Sequence, residues 1–391
     1  YDRYRGPAGE PALDPARYQV SLLTPARLAG QARPGECAEV LGIDVLDRDL
    51  RESMIRLLHE SHPFEQLLVF TERLLVPSAR LREQLGIAGP TLEQVQPLRD
   101  KAAMKRAVAA AGLPMGDWAE AGDRTAALAL LRKHGHVIIK PVDGTGSVGL
   151  RECRSERELA DFWQAEPAFH GLVEEFLTDE MLHVDAVLSR GELVSCSVSR
   201  YLSSTMSYLS RQPLLSVMID DERLRDRAAE FCLAASAALG VRDSVVHLEL
   251  FHRPNDGRLL FCEMAGRAGG AGVGAAVHAV TGFNLYQAMV DCALGQRPVA
   301  GGQPMFPAAG WLLIYGEDGV LRDFDDSAVP REWLIDRSIS AQPGQSFSIP
   351  IAGASLAKYV VGGADEAEVT QRMHRVIELC KLDYSAARTT P

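Results

Sequence analysis

The stretch that most restricts what this chain can fold into is residues 247–270, HLELFHRPNDGRLLFCEMAGRAGG. Residues 247–252 and 258–264 are strand-like runs, and the Pro254-Asn255-Asp256-Gly257 cluster between them is turn chemistry, so the stretch reads as a β-hairpin. A three-residue loop of Asn255, Asp256 and Gly257, with Gly257 left-handed, sets Pro254 against Arg258 and Glu249 against Glu263. Alternation then gathers both carboxylates on one face and Leu248, Leu250, Leu260 and Cys262 on the other. Two glutamates directly opposite on a sheet repel, and a cation between them removes the conflict. Magnesium suits, because it is held by one or two carboxylates and fills its shell with water and phosphate oxygens. A polar, solvated hairpin face is the plainer alternative. A two-residue loop would slip the register and weaken the pairing.

The 391 residues, 47% of them hydrophobic, are material for two or three packed units. A formal charge of −11 speaks against nucleic acid or an anionic membrane as partner, since both reward a basic surface. The seven cysteines are odd in number, scattered and without Cys-x-x-Cys, so neither a disulfide framework nor a zinc site is indicated, and a reducing cytoplasm fits. There is no charged-then-apolar leader and no long apolar run, so secretion and membrane spanning lack support. The chain opens at Tyr1 without a methionine, which leaves room for a natural start upstream.

Residues 1–17, rich in Pro, Gly, Arg and Asp, read as a loose arm. Strands at 19–23, 43–46 and 67–70 then alternate with a helix at 50–59 and another through 81–85 that Gly86 stops, so residues 18–97 should form a small open α/β domain. Asp100 can cap a helix through Lys101, Met104 and Val108 that ends at Gly112. Lys101 and Lys105 lie one turn apart, and by spacing alone they belong to an ordinary solvated face.

A strand at 136–141 runs into Asp143-Gly144-Thr145-Gly146-Ser147-Val148-Gly149, a strand resumes over 148–153, and a Ser155/Glu158 capping box opens a helix through Trp163. The spelling Gly144-x-Gly146-x-x-Gly149 matches a dinucleotide fingerprint, but that motif must pass from strand directly into helix, and here a strand intervenes. The loop is therefore expected to be a hairpin tip. Its backbone N–H groups, with the Thr145 and Ser147 hydroxyls, can fold over phosphates, and Lys140 adds a fixed positive charge. A flexible hairpin without a ligand is the alternative. No Gly-Lys-Ser/Thr follows, which excludes a Walker A loop.

The strand at 171–177 ends in Glu174 and Glu175, which can offer backbone groups and a carboxylate to a neutral base or ribose. Residues 183–187 and 192–199 flank Ser189-Arg190-Gly191 as a second hairpin. Residues 201–212, polar and Ser-rich with Tyr201, Tyr208 and Arg211, read as a long loop, either functional or merely connecting. Helices follow at 220–239 and 284–294, strands near 311–315 and 359–361, and a last helix from an Asp365 cap through Leu379. Arg267, on the glycine-rich turn after the carboxylate pair, is placed to meet an anionic oxygen near the metal, or else lies on the surface.

Together these motifs resemble those of the ATP-grasp superfamily of carboxylate–amine ligases, in element order over residues 18–380 and most sharply between Lys101 and Gly270. The superfamily pattern is a lysine after Asp early in a helix, a strand ending in Lys before a glycine-rich hairpin, a hinge strand ending in acids, and paired acids followed by Asn-x-Arg. Lys101, Lys140 with its glycine loop, Glu174, Glu249 with Glu263, and Arg267 stand at the matching positions. The resemblance implies an α/β N-terminal domain plus an α+β ATP-grasp fold. Residues 18–97 would be the pre-ATP-grasp domain, 98–170 the small subdomain with the glycine-rich hairpin, 171–300 the large subdomain with the metal site, and 301–391 a C-terminal subdomain.

It also implies ATP and Mg²⁺ as cofactors. Lys101 and Lys140 would hold the α- and β-phosphates under Gly144, Thr145, Gly146, Ser147 and Gly149; Glu174 and Glu175 would lie by the adenine or ribose; Glu249 and Glu263 would hold Mg²⁺. Arg267 would bind the substrate carboxylate and stabilise the tetrahedral intermediate. A carboxylate would attack the γ-phosphate to give an acyl phosphate and ADP, and an amine would then displace phosphate to leave an amide. One departure is Ala265, where many members have Asn. The C-terminal segment is similar to that of L-amino acid ligases, which implies small-molecule amino acid-like carboxylate and amine substrates, peptide bond formation and a place in specialised metabolism such as antibiotic biosynthesis. A carrier-protein thiol as acceptor, a non-catalytic nucleotide-binding module and a homodimer are left open.

Overall fold

A computed structural model describes residues 11–44, 47–317, 319–347 and 355–385. The N-terminal unit is built on two parallel strands, Ser21–Pro25 and Glu39–Ile43, with the short Ala26–Ala29 helix packed on them and the Arg48–Ser61 and Leu75–Leu85 helices packed on each other. Asp47 caps the first helix by accepting from the Leu50 N–H, and Gly86 at φ +68° ends the second. The second strand starts four residues earlier than expected and ends at Ile43; residues 45 and 46 lie outside the described residues. Residues 67–70, expected as a third strand, are not one. Only an isolated parallel bridge joins Gln66 to Ala88, and the Leu67 carbonyl accepts from the Arg82 guanidinium at 2.6 and 3.2 Å, so a side chain occupies a group that a ladder would use. The expected loose arm is also partly docked: Ala12 and Leu13 are buried with Val290, against Tyr18, Leu68 and Phe70. Residues 1–10 of that arm lie outside the described residues.

A four-stranded antiparallel sheet follows, in the order Trp118–Glu120, Gly171–Glu175, Val137–Pro141, Arg151–Cys153. The Arg124–His134 and Glu156–Ala165 helices cover it, burying Leu131, Ile139, Leu159, Phe162 and Val173 in a common core. The strand expected over 148–153 holds only for Arg151–Cys153. Gly146, Ser147 and Gly149 all have φ between +60° and +78°, a conformation incompatible with a ladder and suited to a tight tip. Ser155 caps its helix as expected, but Glu158 reaches back to the Arg154 N–H rather than to that of Ser155, so the reciprocal half of the box sits one residue early.

The largest layer is an eight-stranded antiparallel sheet, in the order Leu259–Ala265, Ser244–His252, Glu180–Ser189, Glu192–Tyr201, Leu214–Met218, Ala308–Ile314, Ala357–Gly363, Leu334–Ile339. The C-terminal strands thus continue the sheet that begins at the hairpin. One face packs on the Lys101–Ala110, Glu222–Ala238 and Glu366–Leu379 helices, the other on Val273–Thr281 and Leu285–Ala293. Among the described residues no helix is long and apolar enough to cross a membrane.

The hairpin pairs Glu249 with Glu263, as expected, but by a different route. Its loop is four residues long: the Arg253 N–H donates to the Arg258 carbonyl, so these two close the ladder in place of Pro254 and Arg258. That shifts the register by one, and a β-bulge at Cys262 shifts it back between the Leu250–Phe261 and Glu249–Glu263 pairs. The bulge also corrects the predicted faces. Leu259, Phe261 and Met264 join Leu248 and Leu250 in the core, Leu260 falls opposite Phe251, and Cys262 faces the cavity with the glutamates.

Candidate active site

Between the two large sheets lies a cavity of about 640 Å³, within the usual range for small-molecule sites. The Lys101–Ala110 helix presents its first turn to it, because the Asp100 side chain accepts from the Ala103 N–H and fixes where the helix starts. Lys101 Nζ donates to Glu263 Oε1 and to the Gly144 carbonyl, each at 2.8 Å. Lys105, one turn on and 2% exposed, lies 3.2 Å from Glu174 Oε2, and Lys140 Nζ donates to that same oxygen at 3.0 Å. The solvated face expected for Lys101 and Lys105 is therefore wrong: both are buried because the hinge strand and the hairpin supply carboxylates for them.

Three ammonium groups thus converge on two carboxylates, leaving local positive charge beside the glycine loop. Burial would raise the Glu174 carboxyl, but Lys105 and Lys140 outweigh it and hold it below its ordinary value. Burial likewise works against charge on Lys140, yet Cys262, Glu174 and Glu263 hold its pKa up. Burial pushes the Cys262 thiol itself up to about 12, so it is neutral near pH 7 and the carboxylates do the holding. Glu174 Oε1 is buried without a hydrogen-bond partner. Glu175 turns outward, 3.4 Å from His134 Nδ1, and its Oε2 accepts from the Asp117 N–H at 3.3 Å.

Behind Glu249 lies a network that the sequence reading missed. His183 and His247 both bind Asp185, at 2.7 and 2.8 Å, the second ring nitrogen of His183 meets Ser216 Oγ at 2.7 Å, and His247 Nε2 lies 3.8 Å from Glu249 Oε1. Burial opposes charge on His247, but Asp185 and then Glu249 raise its pKa to about 10. His247 with Lys140 in turn holds the buried Glu249 carboxyl low. The Tyr201 hydroxyl completes the surround, 3.5 Å from Glu249 Oε1. The signal in the sequence was the His-x-Asp alternation of 183 and 185, which puts both on one strand face.

Arg267 lines the cavity, but its guanidinium binds Glu72 of the N-terminal unit, at 3.1 Å from Nε and 2.6 Å from Nη2. Glu72, 6% exposed, also pairs with Arg99, whose other end donates to the Asp143 carbonyl at the root of the glycine loop. No motif in the sequence marked Glu72. The tip of the loop is tied as well, since the Tyr208 hydroxyl donates to the Ser147 carbonyl at 2.9 Å. Residues 201–212, read as a loop, carry a single 3₁₀ turn at Ser207–Ser210 and clasp the hairpin. Ala265 lines the cavity beside Glu263 and offers no side-chain donor. Lys101, Lys140, Gly144, Thr145, Gly146, Ser147, Glu174, Glu249, Glu263 and Arg267 thus border one space, and Glu175 reaches it from the rim; Gly149, expected with them, turns the loop without lining the cavity.

No protein-family model matches the chain. It is 22% identical over 290 residues to the L-arginine-specific L-amino acid ligase of Bacillus subtilis, covering 72% of this chain and 70% of that protein. Among solved structures, the L-amino acid ligase from Bacillus licheniformis superposes with a TM-score of 0.77 at 16% identity, covering 95% of this chain and 93% of that one. The biotin carboxylase domain of Hydrogenobacter thermophilus 2-oxoglutarate carboxylase, in complex with MgADP and bicarbonate, superposes with a TM-score of 0.70 at 20% identity, over 95% and 87% of the two chains.

Proposed function

The chain has the ATP-grasp fold, and from that premise we propose that it is an ATP- and Mg²⁺-dependent ligase that joins an amino acid-like carboxylate to an amine through an acyl phosphate. The observation that carries the reading is the meeting of Lys101 and Lys140 with the opposed Glu249 and Glu263 in one cavity, with Lys105 behind them on Glu174. The donor set fits the metal. Two carboxylates face each other across a ladder, each has a cation close by in Lys101 or His247, and all-oxygen donors suit Mg²⁺. When bound, the ion neutralises charge on the transferring phosphoryl group.

The chain's own residues position and neutralise. Lys101 and Lys140 hold phosphate oxygens under the Gly144-Thr145-Gly146-Ser147 backbone, and the positive φ values at Gly146 and Ser147 make the tip a tight turn of the kind whose N–H groups can serve an anion. Glu174 fixes the Lys105 and Lys140 head groups, and the backbone beyond Glu175 borders the base. Arg267 receives the substrate carboxylate and steadies the charge on the tetrahedral intermediate. No enzyme nucleophile is required, since the work is positioning and charge stabilisation.

The test is Mg²⁺-dependent release of ADP and phosphate from ATP with amino acids supplied singly and in pairs, with mass spectrometry of the products. A product weighing the sum of two partners minus water is the expected result. Ala265 favours one other reading, a nucleotide-binding module without turnover. ATP binding with no ADP release under any pair would establish that reading and make Ala265→Asn the change to try.

A further inference from the structure

Resting on the ligase reading, we infer that one of the two joined substrates carries a bulky apolar side chain, and that arginine, the substrate named for the Bacillus subtilis relative, is refused. The cavity has a hinge end, beside Phe176 and Leu177, and an opposite end walled by Tyr208, Leu214, Val273, Trp311, Leu313 and Tyr315. Three contacts tie that wall to the reacting end. Tyr208 holds the Ser147 carbonyl at the tip of the glycine loop. Trp311 stands edge-on to Tyr201, ring centroids 6.1 Å apart, and Tyr201 reaches Glu249. Gly272, on the turn that carries Arg267, lies so close that a Cβ there would come within 2.3 Å of Trp311 Cβ. Whatever enters between the opposed glutamates and Arg267 therefore meets this wall next.

Its chemistry is one-sided. The charged groups at this end, Glu72, Arg267, His247 and Glu249, form the border and already hold one another or Asp185. Beyond them the polar lining is uncharged: Ser203, Ser204 and Thr205, the Tyr208 and Tyr315 hydroxyls, and the Trp311 Nε1–H, which is buried without a hydrogen-bond partner. The border suits the ammonium and carboxylate of an amino acid, and the wall suits its side chain. An aliphatic or aromatic group would gain from burial there. A guanidinium or carboxylate would lose water and meet no counter-charge.

The experiment compares kcat/KM for ADP release with saturating MgATP and L-alanine plus L-phenylalanine, L-leucine or L-methionine against L-arginine, L-lysine or L-glutamate. The apolar set should win by at least about 10²-fold, beyond what a single methylene difference gives. Equal or better use of arginine would overturn the inference. Leu313→Asp should lower the rate with phenylalanine and raise that with arginine. Because that change sits in a core strand, Tyr315→Ala is the companion, expected to weaken phenylalanine about tenfold while arginine stays refused. Titration of the MgADP-loaded protein with L-phenylalanine and L-arginine, followed by tryptophan fluorescence, separates the two levels of the proposal. Phenylalanine binding without turnover in any pair would uphold the wall and sink the ligase reading. Binding of neither, or tighter binding of arginine, would sink the wall.

Discussion

At the scale of single residues, the site is governed by how few groups neutralise how many. Glu263 faces Glu249 and is balanced by Lys101, so removing its charge should both uncover the lysine and take away half of the proposed metal-binding pair. Glu263→Gln is expected to lower kcat/KM by about 10²–10³, the size seen when one group that stabilises the transition state is lost, and to raise the Mg²⁺ concentration needed for half-maximal rate. An unchanged Mg²⁺ dependence would remove Glu263 from the metal site. The glutamates and Lys140 were legible because each sits in a motif with its own local geometry. Lys105 was not, because spacing cannot tell a lysine on a wet helix face from one whose partner, Glu174, arrives from a strand 69 residues later in the chain.

Elements show where local sequence rules hold and where tertiary contacts override them. Caps were readable: Asp100, Ser155 and Asp365 each accept from the backbone three residues on. The Val273–Thr281 helix was not, because its N-cap position is Gly272 and its sequence is rich in β-branched residues, which weakens both the start signal and the helical propensity. The Glu249–Glu263 pairing was reached although the loop is a residue longer than expected, since the bulge at Cys262 cancels the error; nothing in the sequence announces that bulge.

The C-terminal strands depend on a device of the same kind. Asp326, which follows the Gly319–Asp325 strand, accepts from both Arg337 nitrogens at 2.5 and 2.7 Å, from Arg331, and from the Tyr359 hydroxyl at 2.7 Å. Arg337 above all holds its carboxyl below the usual range. A depressed carboxylate contributes stability that is complete above its unfolded pKa, about 4, and is lost as pH falls through the folded value. Asp326→Asn should therefore cost about 1.5–3 kcal/mol in urea unfolding at pH 7, with the gap to wild type flat above about pH 5 and closing on acidification below about pH 4.

Over the whole molecule, Glu72 links parts far apart in sequence. It binds Arg267 on the turn after the Leu259–Ala265 strand and Arg99 ahead of the lysine-bearing helix, and Arg99 holds the root of the glycine loop. Glu72→Gln leaves two mostly buried guanidinium groups without their carboxylate. It should cost about 3 kcal/mol of unfolding free energy, the lower end for breaking a buried pair because both arginines keep some water. It should also lower kcat/KM more than a stability loss of that size explains, because Arg267 loses its fixed place; full activity in the folded variant would confine Glu72 to a structural role. The order of elements, and with it the fold, was legible from motif succession. The domain-spanning pair was not, because the N-terminal stretch around Glu72 has no pattern that names a distant partner.

The Ala308–Ile314 strand divides its residues by parity: Trp311 and Leu313, followed by Tyr315, face the cavity, whereas Leu312 and Ile314 pack with Val369 and Met373 under the last helix, and a Cβ on Gly310 would press the Ser216 carbonyl at 2.7 Å. Variation along these few codons is therefore sorted before selection begins. Drift at 311, 313 and 315 alters the cavity wall together with the core those side chains share, whereas drift at 310, 312 and 314 is screened for folding alone. On the proposed ligase reading, a lineage can thus explore new substrates by conservative, odd-numbered steps along one strand, with the glycine loop and its lysines untouched.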